Sequence, residues 1–93
     1  MAVLITPAGE EQEVEHEHPL TIEAIGRLLG SETVVPLRIN NGYFLFYDED
    51  AKMIKDHQIN QRATDLAYLH GRLRRYDTLA GPVVLADRKE FRL

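Results

Sequence analysis

The chain contains no cysteine. That excludes disulfides, thiolate nucleophiles and cysteine-based zinc sites, and points to a reducing cytoplasm as the expected location. It also lacks a P-loop, a dinucleotide-binding glycine pattern and a Gly-x-Ser-x-Gly elbow, and offers no Ser, His and Asp order that argues for a triad. The calcium-loop spacing, with its glycine and distal glutamate, is missing around Asp48, Glu49 and Asp50. Long apolar runs are absent as well. Residues 1–5 break at Thr6-Pro7 and carry no basic leader, so they are expected as a buried strand and not as a signal peptide or membrane span. Internal repeats and low-complexity segments are lacking too. The expectation is a protein without a cofactor, without a membrane partner and without a catalytic constellation, hence not an enzyme.

What is present is an ordinary globular composition. With 44% hydrophobic and 28% charged residues, the 93-residue chain is expected to fold as a single domain, 1–93, with shallow sites or a site completed by a partner. Charge is unevenly placed. Residues 1–50 carry 10 acids and 2 bases, a balance of −8, whereas residues 51–93 carry 5 acids and 9 bases, a balance of +4; together they give the net −4. Such asymmetry either steers a charged partner or reflects two solvated faces.

The sharpest local signal is Asn41-Gly42 between two apolar runs, which predicts a two-residue hairpin turn joining strands at 33–39 and 43–47. That turn pairs Asn40 with Tyr43, Ile39 with Phe44, Arg38 with Leu45 and Leu37 with Phe46. Val35, Leu37, Ile39, Phe44 and Phe46 then share the buried face. Pro36 removes one ladder donor and marks that strand as an edge; an exposed hairpin edge also offers pairing into a homodimer. Thr6-Pro7-Ala8-Gly9 reads as a turn into a charged return strand at 11–17. Thr21 is placed as an N-cap, Glu23 lies in the first turn, Leu20 and Ile25 form a staple, and Gly30 is the C-terminal stop. The core stripe of this helix is read as Ile22, Ile25, Leu28 and Leu29. A second helix starts near Gln58 or Asn60 and runs to His70, with Ile59, Ala63, Leu66, Ala67, His70 and Leu73 on one face and Gly71 as its stop. Residues 51–56 are either loop or a short helical turn. A final strand occupies 82–86, and residues 86–93 form a charged tail, either mobile or packed back through Phe91 and Leu93. The fold class is therefore α+β: a small antiparallel sheet of four to five strands packed against two helices.

Several residue groups have the types that chemistry needs. His16 and His18 in a strand lie on one face about 7 Å apart, a spacing used for divalent metals, but no third ligand is visible, so no metal site is assigned. Asp48, Glu49 and Asp50 read either as a solvated acidic turn or, with the glutamates of 10–17, as a surface that mimics phosphates toward a basic partner. His70 reads as a core histidine at a helix end, and His57 as loop. Arg72, Arg74 and Arg75 beside Tyr68 and Tyr76 are the place where positive charge and aromatic faces interleave. They either contact phosphate, nucleotide or RNA, or complement the carbonyls and dipole of the helix end. The net charge of −4 disfavours a dedicated DNA-binding protein.

The run Asn60-Gln61-Arg62-Ala63-Thr64, followed by Asp77 and then Gly81-Pro82-Val83-Val84-Leu85, resembles a small family of unknown function found in phages, plasmids and bacterial chromosomes. Members pair an Asn-x-x-Ala-Thr helix start with an Asp-x-x-x-Gly-x-x-x-Leu finish. The resemblance implies no known activity. Physically, Asn60 caps, Ala63 permits close approach, Thr64 bonds back to the preceding turn and Gly81 frees a tight lead into the last strand. A functional reading puts Asn60, Thr64 and Asp77 at a cleft by the helix start, where backbone N–H groups favour anions. The expected function is a non-catalytic binding protein, a mobile-element accessory or counter-defence factor that occupies a host or phage protein or a small anionic ligand such as a nucleotide. The candidate binding residues are Asn60, Thr64, Arg72, Arg74, Arg75, Tyr76 and Asp77; the alternative is a nucleic-acid-binding regulator that uses the cluster from Arg72 to Tyr76.

Overall fold

The computed structural model describes residues 1–74 and 76–93. Five strands form one antiparallel sheet: β1 (Val3–Ile5), β2 (Glu11–Glu13), β4 (Val34–Arg38), β5 (Tyr43–Asp48) and β6 (Val83–Asp87), in the order β2-β1-β6-β5-β4. A small parallel pair, β3 (Leu20–Thr21) with β7 (Phe91–Arg92), forms a second sheet. The helices are α1 (Ile22–Leu29) and α2 (Gln61–Leu69). This is an α+β fold, as the sequence pattern predicts. No helix among the described residues is long and apolar enough to cross a membrane.

Both faces of the sheet are core. On one face Phe46, Val84, Ala86 and Ala2 pack with Leu20, Ile25 and Leu29, so α1 and the β3–β7 pair cover it. On the other face Leu45, Val83, Ile5 and Ile39 pack with Ala63 and Ala67 of α2. Side chains alternate across a strand, so Val83 and Leu45 serve α2 while Val84 and Phe46 serve α1. A sheet covered twice explains why these strands read as near-continuous apolar runs.

The hairpin forms, but one residue away from the predicted register. Arg38 opposes Phe44, Leu37 opposes Leu45 and Pro36 opposes Phe46. The loop is Asn40, Asn41 and Gly42, closed by Ile39 N–H to Tyr43 O at 2.9 Å. Asn40 Oδ1 accepts from the Gly42 and Tyr43 amides at 2.8 and 3.0 Å, taking the Tyr43 N–H that a two-residue turn would give to Asn40 O. Neither Asn41 nor Gly42 has the positive φ that such a turn requires. The shift moves Val35, Leu37 and Ile39 to the face of Leu45 and Tyr47, and Phe44 and Phe46 to the other. Ladder bonds at Thr33 and Ile39 point toward β5, so the intervening Pro36 places its missing N–H on the open edge of β4, as its edge assignment requires.

Other boundaries differ for local reasons. β2 stops at Glu13, so His16 and His18 are not in a strand. Thr21 caps α1 by accepting from Ala24 N–H at 3.1 Å, and Gly30 ends it in the left-handed region at φ 66°. The buried stripe of α1 is Ile25, Gly26 and Leu29, while Leu28 is exposed. Gly26 is inside because Ser31 returns over it: a Cβ there would lie 2.6 Å from Ser31 O. Residues 49–54 form turns. α2 ends at Leu69, and His70 is exposed as its C-cap and not a core residue. Residues 86–93 are not a loose tail. Phe91 makes edge contacts with Phe44 and Phe46 at 5.0 and 4.9 Å, and Leu20 N–H bonds Glu90 O at 2.7 Å.

Candidate functional site

Asn60 is wholly buried, and its side chain spends every polar atom on the fold. Oδ1 accepts from Ala63 N–H at 3.1 Å, which caps α2, while Nδ2 donates to Ile5 O at 3.0 Å and Gly81 O at 2.9 Å. One amide thus ties the helix start to β1 and to Gly81, two residues before β6. Thr64 is buried beside it. Its hydroxyl donates to Asn60 O at 2.8 Å and accepts from Leu79 N–H at 2.9 Å. Asn60 therefore does not line a cleft; it is a corner post behind one.

In front of Thr64 is a shallow cavity of about 360 Å³ between α2 and the chain at 76–78, lined by Gln61, Thr64, Asp65, Tyr68, Tyr76, Asp77 and Thr78. Tyr68 is half-exposed and Tyr76 exposed. Gln61 Nε2 donates to Asp65 Oδ1 at 2.7 Å, the i, i+4 pair of one helix face. Asp77 is exposed and is held by its amide on Arg74 O at 3.0 Å. Its charge reaches the half-buried Tyr47, whose phenol is pushed up first by burial and then by Glu49 and Asp77.

The basic cluster resolves in part. Gly71, at φ 68°, donates to Tyr68 O at 2.9 Å, and Arg72 N–H donates to Ala67 O at 2.8 Å, so main chain closes the end of α2. Arg72 and Arg74 are exposed, and among the described residues neither guanidinium bonds a helix carbonyl or a carboxylate. Capping the helix is not their work. Arg75 lies outside the described residues. The structure thus brings Thr64, Tyr76 and Asp77 to one cavity with Arg72 and Arg74 on the segment leading into it, and sets Asn60 behind.

The acidic turn contains a group that sequence reasoning missed. Asp48 is buried, not solvated. Its carboxylate accepts from Lys55 Nζ at 2.6 Å, Thr33 Oγ1 at 2.7 Å and Asp50 N–H at 2.9 Å. Burial alone would raise its pKa; the Lys55, Thr33 and Asp50 bonds outweigh it and hold the carboxyl at about 2. Lys55 Nζ also reaches Gly30 O at 3.3 Å, so one ammonium joins β5 to the end of α1 beside a shallow polar cavity of about 520 Å³. The cue in the sequence is Asp48's place on the core-facing alternation of β5. His16 is tied by Nδ1 to His18 O at 2.9 Å and by Nε2 to Glu90 at 3.2 Å. Among the described residues no cluster of three or more His, Asp and Glu has a metal-holding arrangement.

No protein-family model, curated protein or solved structure matches the chain.

Proposed function

We propose that this chain is a non-catalytic binding protein that captures a nucleotide-like anion on the slot between α2 and residues 76–78. The observation that carries this reading is the pairing of one shallow cavity, presenting Tyr68, Tyr76 and Asp77, with the exposed Arg72 and Arg74, neither of which has a carboxylate partner among the described residues. A tyrosine ring stacks on a base, a carboxylate accepts from its exocyclic amine, and guanidinium groups fork onto phosphate. The resemblance to a family carried by phages and plasmids supports a mobile-element setting, in which holding a host protein or a nucleotide serves counter-defence. Titration calorimetry with nucleoside monophosphates tests it. Binding is expected for the wild type. Arg72→Ala with Arg74→Ala should weaken it about tenfold or more, the scale of lost charge-assisted bonds, with melting unchanged. Absence of heat with every nucleotide at millimolar concentration rejects the reading.

The second reading is a nucleic-acid-binding regulator that uses the segment from Arg72 to Tyr76, favoured by the same exposed cations. It requires an oligonucleotide affinity that falls steeply with salt and is lost in the same double variant.

A further inference from the structure

The slot between α2 and residues 76–78 is lined on the helix side by Gln61, Asp65 and Tyr68 and on the other side by Tyr76 and Asp77. Positions 61, 65 and 68 follow one another at helical spacing, so a single face of α2 makes the first wall. The two carboxylates differ in what they have left to accept. Asp65 Oδ1 already takes a hydrogen bond from Gln61 Nε2 at 2.7 Å. Asp77 is exposed, and its main chain is set by the bond from its amide to Arg74 O at 3.0 Å. Among the described residues its carboxylate has no cation partner and accepts no side-chain hydrogen bond. An ionised carboxylate accepts on both oxygens and donates on neither.

Such an acceptor-only edge distinguishes the bases. Guanine alone presents two adjacent donors, a ring N–H and the exocyclic amine beside it, which one carboxylate meets with two parallel bonds. Adenine and cytosine each set one amine beside a ring-nitrogen acceptor, and uracil sets one N–H between two carbonyls. Each of these makes a single bond and turns a lone pair toward the charged oxygens. We propose that the slot selects guanine nucleotides and that Asp77 is the residue that reads the base, an inference that rests on the nucleotide reading of the slot. The other groups do not discriminate. Tyr68 and Tyr76 offer faces on which any base stacks, and Arg72 and Arg74 meet phosphate whatever base it carries. Asp65 is the poorer reader, because Gln61 already holds one of its oxygens.

Titration calorimetry of the full chain with guanosine, inosine, adenosine, cytidine and uridine monophosphates tests the proposal. The guanosine compound should bind at least about tenfold more tightly than the adenosine, cytidine or uridine compound, the scale on which a good bidentate base contact discriminates. Inosine monophosphate keeps the ring N–H and lacks the amine, so it should fall between. Asp77→Asn replaces two acceptors by one acceptor and one donor, the complement of the adenine edge. The ratio of guanosine to adenosine affinity should then drop about tenfold or more, with the adenosine compound gaining. Reading a ratio removes the general effect of taking one negative charge from an anion site. Melting curves keep the comparison to folded protein, and the exposed Asp77 side chain is not part of the core. Equal binding of all the nucleotides, or tighter binding of another base, overturns the guanine assignment and leaves the nucleotide reading in place. A guanine preference that survives Asp77→Asn overturns the role of Asp77. Absence of binding by every nucleotide rejects the nucleotide reading and this proposal with it.

Discussion

Asn60 and Asp48 are polar groups that a composition count would place on the surface, and both are buried because the fold answers each of their bonding positions. Replacing Asn60 by Ala removes the α2 cap and the two buried bonds that its Nδ2 gives to Ile5 O and Gly81 O. A cap is worth about 1 kcal/mol and each lost hydrogen bond about 0.5–1.5 kcal/mol, so urea denaturation should show a loss of about 2–4 kcal/mol. Asn60→Asp keeps the cap acceptor but not the two donors, so it should recover only part of that loss. Asp48 sets an acid limit. Its folded pKa of about 2 lies below the ordinary 3.8, so its stabilisation is complete above pH 4 and is lost as pH falls toward 2. The difference corresponds to about 2 kcal/mol. Denaturation measured between pH 5 and 2 should show that decline in the wild type and a flatter profile in Asp48→Asn, which starts from lower stability because Lys55 has lost its partner.

Elements were legible where a local rule has one solution. Thr21, Gly30 and Asn60 each announce a helix boundary through cap chemistry, and all three stand where that chemistry puts them. Register was not legible, because residues 34–39, Arg38 aside, and 43–47 are apolar or aromatic at both parities and the sheet is buried on both sides; binary pattern then does little to distinguish one pairing from its neighbour. The candidate site was legible only in part. Tyr76, Asp77 and the arginines advertise polar chemistry, but nothing in Asn60 or Thr64 reveals that their side chains would be turned inward onto Leu79, Gly81 and Ile5. Gly26 is a similar case within α1. On propensity alone Gly26→Ala should gain up to about 1 kcal/mol. In this fold its Cβ would press on Ser31 O, which the Ser31 N–H to Gly26 O bond at 2.8 Å holds in place. A net loss of about 1–2 kcal/mol is expected from overpacking, whereas Leu28→Ala on the exposed side should change stability by less than about 0.5 kcal/mol. Urea midpoints of the two variants decide between propensity and contact.

At the scale of the molecule, one helix covers each face of the sheet, but α1 has only eight residues and does not close its side alone. The C-terminal segment completes the cover. β7 brings Phe91 against Phe44 and Phe46, with interplanar angles of 69° and 77°, and pairs with β3, whose Thr21 is the α1 cap. Glu90 fastens the same segment to the N-terminal ammonium and to His16, and its carboxyl, which burial alone would raise, is held below its usual range first by the N-terminal ammonium and then by the Asp87 amide and His16. The last residues are therefore part of the cooperative unit, although their charge reads as that of a tail. Phe91→Ala should cost about 3–4 kcal/mol, the range for emptying an aromatic site in a core, and a domain with 5–15 kcal/mol in total feels that as a large fraction of its stability. Hydrogen exchange locates the effect. In the variant the Leu20 amide, which bonds Glu90 O, should exchange faster together with the amides of α1, while Ala63 and Thr64 of α2 on the opposite face keep their protection relative to the global opening. Uniform acceleration across both helices would mean that the two faces open as one, and unchanged exchange at Leu20 would mean that β7 does not hold α1 down.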